Sequence, residues 1–535
     1  MNIKMSSYPI TFKFAWFACF IVIVNLAGCK TKTNENRKVN ILFIMGDQHR
    51  GDCIGASGAD WLETPNLDRL AQEGVLFENA YSSVPSCLPA RTSILTGMSP
   101  WKSGQLGYRK IPDYQYEMPQ MFTDAGYRTH AVGKNHFSPM RHKHGYQTVE
   151  LEEAWYSDLK GEHATTSEKR KITFSEEEKC DYTLWFEAQM PGISLNQSGL
   201  GYTDHRGGVS FPFAEELHPT YWTAERAVHF LQSYDGGEPW LLKVSFQRPH
   251  PPFDPPKRWL DHYEMKEIPK ARVGDWAEGE YGNATGTLEE LPNATSGNFP
   301  EEEIEASRKA YYAAISFVDE QLGRVLEALE ERGELENTLI IYTSDHGDMM
   351  GDQHMWRKCR PYEGSTRIPM LLRWPSNLQL DAKRGQTRSE LVELRDVLPT
   401  FLDAAEMQKP QIMDGVSMLH ILRNEPWRKV LDLEHSQIYE DDNAWVALTN
   451  EQYKYIYFTL TGQQQMFDLK NDPYELIDLA SERFINENEK LLEEWRGEMI
   501  KHLQVRGEEW VKDGELTIQK ESIHIGKNNP VLLGK

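Results

Sequence analysis

Five short apolar runs punctuate this chain: Val39–Met45, Tyr127–Val132, Trp240–Phe246, Thr338–Ser344 and Pro369–Trp374. Each is continuous rather than alternating, the pattern of a strand buried on both faces, which needs helices on both sides of its sheet. Helical stretches stand between them. One opens with Thr64 as N-cap and Pro65 at its first position and stops at Gly74; a long amphipathic one runs from about Glu302 to Arg332 and closes at Gly333. The expected class is α/β, a large mostly parallel sheet sandwiched by helices. With 535 residues the chain is long enough for one large domain and a smaller one. The large one is read over residues 39–425. Between about Met140 and Pro300 the pattern weakens, and Asp158–Asp181 and Glu264–Asn298 read as loops or insertions. After Pro426, strands at Trp445–Thr449, Tyr453–Phe458 and Gln465–Asp468 and a charged helix near Glu487–Leu503 predict a smaller α+β subdomain over 426–535.

The first residues read as a targeting segment. Lys4 and Lys13 precede the apolar run Phe14–Ala27, which is short for a membrane span and suits a signal peptide. The run ends in Leu26-Ala27-Gly28-Cys29, which resembles a bacterial lipobox. That resemblance implies cleavage after residue 28, lipid on Cys29, a tether over 29–38, and a membrane-anchored lipoprotein of the bacterial envelope, in the periplasm or at the outer membrane. A plain signal peptide containing a cysteine is the alternative. Of six cysteines, Cys53, Cys87, Cys180 and Cys359 remain beyond this segment, without zinc spacing. A net charge of −23 leaves no basic surplus for nucleic acid, so any anion site must be a local cationic pocket.

Just beyond four of the five runs stand polar groups: Asp47-Gln48, Lys134-Asn135-His136, Arg248-Pro249-His250 and Asp345-His346. Ligands bind at the carboxyl edge of open parallel sheets. A lone aspartate or histidine there is usually structural, but four strands delivering such groups together predict one site. Two carboxylates and an amide oxygen suit a hard divalent cation, although His346 is unexpected around calcium. Lys134, His136, His250 and Lys358 add positive charge and proton-transfer capacity, the makings of a pocket for a tetrahedral oxyanion such as a sulfate or phosphate ester.

Cys87-Leu88-Pro89-Ala90-Arg91 has the form Cys-x-Pro-x-Arg, and Ser344–Lys358 reads SDHGDMMGDQHMWRK. With Gly46-Asp47-Gln48, these stretches resemble the type I sulfatases of the alkaline phosphatase superfamily, from Asn40 to about Ala480. The resemblance implies that an alkaline phosphatase-like sheet carries the site and that a separate enzyme, a formylglycine-generating or anaerobic sulfatase-maturating enzyme, oxidises Cys87 to formylglycine (3-oxoalanine), whose hydrate is the nucleophile. It further implies that Asp47, Gln48, Asp345, His346 and the modified Cys87 hold one divalent cation, Ca2+ or else Mg2+. Arg91 supports the hydrate, Lys134 and Lys358 bind sulfate oxygens, His136 takes a proton from the formylglycine, and His250 with Lys358 protonates the leaving alcohol. Gln48 and His346 depart from the commonest pattern, where aspartate and asparagine stand.

The implied activity is hydrolysis of sulfate esters on a polysaccharide or its oligosaccharides, algal such as ulvan or a glycosaminoglycan. Trp155, Trp185, Phe186, Tyr202 and Trp222 are candidates for stacking on sugar rings. The alternatives are a phosphodiesterase or phosphonate hydrolase of the same superfamily, a small-molecule sulfatase acting on a substrate such as choline sulfate, and a glycan-binding protein without turnover.

Overall fold

A computed structural model describes residues 38–153, 179–193, 195, 209–283, 285–287, 290–291 and 294–533. The signal segment, Cys29, Trp155 and Tyr202 lie outside the described residues. The strands are β1 (Asn40–Asp47), β2 (Val75–Phe77), β3 (Ala80–Tyr81), β4 (Arg128–Gly133), β5 (Thr148–Leu151), β6 (Trp240–Pro249), β7 (Thr338–Thr343), β8 (Met370–Arg373), β9 (Gln386–Arg388) and β10 (Val392–Glu393). Eight of them form one sheet in the order β5-β4-β6-β1-β7-β8-β2-β9. The pairs β5/β4, β4/β6, β6/β1 and β1/β7 are parallel, whereas β8 runs antiparallel to both neighbours. The four strands with chemistry beyond their ends, β4, β6, β1 and β7, are therefore adjacent and point the same way. The fifth apolar run became β8, the strand that points the other way, and it carries none of the expected site groups.

Alternation along β1 divides the core. Ile41, Phe43 and Met45 pack on one face with Leu88, Ile94, Phe401 and Leu402. Leu42 and Ile44 pack on the other with Leu67, Trp222, Leu231, Val318 and Leu322. The covering helices are α1 (Pro65–Glu73), α2 (Cys87–Thr96), α3 (Pro219–Ser233), α4 (Glu301–Glu331) and α5 (Val397–Ala404). Among the described residues no helix is long and apolar enough to cross a membrane.

The region where the pattern weakens is more regular than expected. It holds α3 and shorter helices at Asp181–Gln189, Lys257–Glu264 and Asp275–Tyr281. Phe186 and Trp222 are buried in the sheet core, and Trp185 packs against it. The aromatic area of Phe186 and Trp222 is spent on packing, which corrects the expectation that these two face sugar rings.

The C-terminal strands β11 (Leu431–His435), β12 (Trp445–Thr449), β13 (Tyr453–Phe458) and β14 (Gln464–Asp468) make an antiparallel meander. Strand β11 was not anticipated. On one face α6 (Ile485–Gln504) buries Trp495, Met499 and Leu503 against Val446, Tyr455 and Met466. The other face, with Leu433, Trp445 and Phe467, packs on Tyr81, Met349, Met355 and Tyr362. The meander thus backs the loop after β7, and the described residues form one compact unit.

Candidate active site

Helix α2 carries the first pieces. Ser86 caps it in extended conformation, and Gly97 ends it at φ 65°, a left-handed conformation that costs glycine little. Pro89 lies in the first turn, where a missing N–H breaks no helical bond. Cys87 and Arg91 are four residues apart and so share one helix face. All ten helix residues are buried, so the Arg91 charge must be paired inside. Its Nε donates to Asp345 Oδ2 (3.0 Å), Nη2 to Asp47 Oδ2 (3.1 Å), and Nη1 to the Lys134 carbonyl (2.8 Å) and Ser245 Oγ (3.3 Å). Arg91 braces the ends of β1, β4, β6 and β7 at once.

Around it, ligand atoms of Asp47, Cys87, Asp345 and His346 lie within 4.8 Å of one another, all four buried. Asp47 Oδ1 and Gln48 Oε1 are buried acceptors without a hydrogen-bond donor. His346 Nδ1 lies 2.9 Å from the Gly347 carbonyl, which fixes the proton there and leaves the Nε2 lone pair facing Cys87 Sγ at 3.2 Å. Two carboxylates, an amide oxygen and an imidazole nitrogen converging on one buried point fit a divalent cation. Asp345 holds the backbone N–H of Gln48 (3.2 Å), whose φ of 68° is unusual for a side-chain-bearing residue.

Cations complete the pocket. Lys134 is ion-paired with Asp47. Lys358 Nζ lies 2.8 Å from Cys87 Sγ and 3.3 Å from His250 Nε2. His250 Nδ1 is 2.9 Å from the Pro251 carbonyl, so its Nε2 is the acceptor and the shared proton rests on Lys358. Residues Arg357 and Cys359, flanking Lys358, have φ values of 68° and 70°. His136, at φ 61°, is held through its N–H by Glu153 (2.7 Å), and its Nε2 lies 3.1 Å from Tyr108 Oη.

The electrostatics follow from this crowding. Burial and Asp47 oppose ionisation of the Cys87 thiol, yet Lys358, Lys134 and His346 bring its pKa below the ordinary thiol value. Burial, then Lys134 and Arg91, hold the His136 pKa well below that of a free histidine; burial, then Lys358 and Lys134, do the same for His250. Asp47 is strongly depressed: burial opposes this, but Lys134, His250 and Arg91 outweigh it. Burial lowers His346 and Asp345 raises it, and the net shift is upward.

Asp47, Gln48, Cys87, Arg91, Lys134, His250, Asp345, His346 and Lys358 thus form one connected cluster. His136 stands close enough for Lys134, Arg91, Asp47 and Lys358 to shift its titration. Sequence reasoning missed Asp348, which faces Gln48, although it stands in the same Asp-His-Gly-Asp run. It also missed Tyr108, and Tyr439 after β11, a half-buried ring that feels the charges of Lys358, Arg357 and Cys87. No local signal marks these tyrosines; only the fold brings them in. A second cluster, Asp113–His142–His144, is different in kind. His142 Nδ1 accepts the His144 N–H (3.2 Å), so its Nε2 proton points at Asp113, and His144 Nδ1 bonds Glu117 (2.9 Å). Protons rather than lone pairs meet there.

Comparison with known proteins fits this geometry. The family model described as "Sulfatase" matches residues 39–407, and "N-sulphoglucosamine sulphohydrolase, C-terminal" matches 351–502. An arylsulfatase of Clostridium perfringens is 39% identical, the match covering 89% of this chain and 96% of its own. An ulvan-active sulfatase of Formosa agariphila is 27% identical over 96% of this chain and 91% of its own. The phosphonate monoester hydrolase of Agrobacterium radiobacter shares the fold, with a TM-score of 0.66 at 24% identity over 85% of this chain and 95% of its own.

Proposed function

The chain belongs to the sulfatase family, with its alkaline phosphatase-like fold, and is a sulfuric ester hydrolase; from that premise we propose that it removes sulfate from a sulfated polysaccharide or its oligosaccharides, with formylglycine made from Cys87 and one divalent cation, Ca2+ before Mg2+. The observation that carries this reading is the place of Cys87 Sγ: 3.2 Å from His346 Nε2 of the ligand cluster and 2.8 Å from the Lys358 ammonium. The sulfur stands where an oxygen of the modified residue would be.

The cation, held by Asp47, Gln48, Asp345 and His346, would supply Lewis acidity, and the formylglycine hydrate would supply the attacking hydroxyl. The chain's own groups do the rest. Lys134 and Lys358 offer N–H donors to sulfate oxygens in a buried pocket, where such bonds count most. Arg91 holds one oxygen of each of the two carboxylates. Lys358, hydrogen-bonded to a neutral His250, holds the proton that the departing alcohol needs. His136, kept neutral by burial and by the cations beside it, is ready to accept one.

The ulvan-active relative, which aligns over nearly the whole chain, supports a saccharide substrate. Tyr108 beside His136, and Tyr439 with the Arg357 guanidinium 5.6 Å from its ring centroid, offer aromatic faces and a further cation. The Leu26–Cys29 stretch supports lipidation and an envelope location, and the Cys87 motif supports dependence on a maturation enzyme.

The test is release of free sulfate by the matured protein from defined ulvan, carrageenan and glycosaminoglycan oligosaccharides, with nitrophenyl sulfate, choline sulfate and a phosphonate monoester in parallel. A kcat/KM highest on one oligosaccharide class, abolished by chelation, is expected. A higher value on choline sulfate or on the phosphonate overturns the saccharide reading.

A further inference from the structure

Gln48 presents a choice that the fold has to make. Its backbone is pinned on both sides: the N–H donates to Asp345 Oδ1 and the carbonyl accepts from Tyr311 Oη (2.6 Å). What remains free is rotation of the terminal amide, which offers the cluster either an oxygen or an NH2 group of nearly the same shape. An oxygen faces a cation favourably, and an NH2 group repels one.

We propose that Asp348 is the positioning residue that makes this choice. It rests on the divalent-cation reading above. Gln48 Nε2 donates to Asp348 Oδ2, which turns Gln48 Oε1 away from Asp348 and leaves it without a protein donor. Asp348 is itself immobilised: its Oδ1 accepts the backbone N–H groups of Met350 (2.9 Å) and Arg357 (2.9 Å), and its carbonyl accepts from Arg50 (3.0 Å). Gln48 and Asp348 are both fully buried, so their contact is shielded from bulk water. Asp348 also polarises the amide and returns, one bond further out, the negative charge that a carboxylate at position 48 would have supplied. Position 48 is neutral in this chain, and the adjoining carboxylate is its complement.

The pair can be inverted. In Asp348→Asn, Oδ1 still accepts from Met350 and Arg357, so the loop keeps its bonds, but an NH2 group now meets Gln48. The Gln48 amide must rotate, and its own NH2 group then faces the cation. In the double variant Gln48→Glu with Asp348→Asn, one oxygen of the new carboxylate at position 48 accepts from the new amide at position 348. The other oxygen faces the cation, and the total charge is unchanged. The experiment is calorimetric titration of the chelator-stripped, matured, full-length protein with Ca2+, and with Mg2+ in parallel, alongside thermal melting of each apo form. Asp348→Asn should weaken cation binding by about 10–100-fold, the usual cost of losing such an outer partner. The double variant should return to within a few-fold of wild type, and the apo melting temperatures should stay together. Unchanged affinity in Asp348→Asn, or a double variant as weak as the single one, overturns the inference. A wild-type protein that binds neither ion overturns the cation reading itself, and the inference with it.

Discussion

Replacing His250 by alanine tests the division of labour in the pocket. The ring does not carry the proton it shares: Nδ1 is committed to the Pro251 carbonyl, and Nε2 accepts from Lys358 at 3.3 Å. Its contribution is to aim the ammonium. A positioned acid contributes about 10²–10⁴-fold to rate. At about 1.4 kcal/mol per decade, this corresponds to about 3–5.5 kcal/mol of transition-state stabilisation. Only a poor leaving group needs that proton. His250→Ala should therefore lose up to that factor on a sugar sulfate and less than about tenfold on nitrophenyl sulfate, whose phenolate departs unaided. Initial rates on both substrates, with rapid-quench measurement of alcohol and sulfate, read the effect directly. His136→Ala is the control. If His136 acts after the alcohol has left, that variant should release alcohol once per enzyme and retain the sulfate. Equal losses on both substrates in His250→Ala, or a burst there and none in His136→Ala, would refute the assignment.

Four further outcomes are expected. Peptide mass spectrometry of active protein should show the Cys87 peptide lighter by about 18 Da than its thiol form, and full activity with an unmodified thiol would exclude the modification. Cys29→Ser should move the protein from the membrane fraction to the soluble one with kcat/KM unchanged; a variant that still sediments with membranes counts against the lipobox. His435, which bonds Ser86 Oγ at 2.7 Å, is pushed by burial down to about 4. Its folded value lies below the unfolded one, so the native state resists protonation and loses stability as pH falls from about 6.5 towards 4; at pH 5 this amounts to about 2 kcal/mol. Denaturant titrations of His435→Gln should show that much less acid sensitivity, and parallel pH profiles would contradict the assignment. Trp222→Ala should cost about 3–5 kcal/mol of stability and leave kcat/KM of the folded enzyme intact; a selective loss on saccharides would restore Trp222 as a sugar contact.

How much was legible in advance depended on how local the signal was. The apolar runs of β1, β4, β6 and β7, the Pro65 and Gly74 limits of α1, and the long α4 were readable because burial and helix ends act within a few residues. Cys87 and Arg91 were readable together because helix geometry places i and i+4 on one face. The direction of β8 was not readable: an apolar run has the same pattern whichever way its neighbours run. Nor was the burial of Phe186 and Trp222, since an aromatic residue in a polar stretch reads alike whether it packs or binds.

By itself, the sequence determined the strand ends that carry the chemistry, the helix that presents Cys87, and the ionisable residue types available at each place. Only the tertiary structure decided that β4, β6, β1 and β7 lie side by side and parallel, so that residues from Asp47 to Lys358 meet within a few ångströms. It also decided orientation: Lys358 Nζ meets His250 Nε2, His346 turns Nε2 inward with Nδ1 on the Gly347 carbonyl, and Asp348 meets the Gln48 amide. These are properties of pairs. A side chain's charge and tautomer are set by the partner that shares its buried, low-dielectric space, and that partner is often hundreds of residues away in the chain.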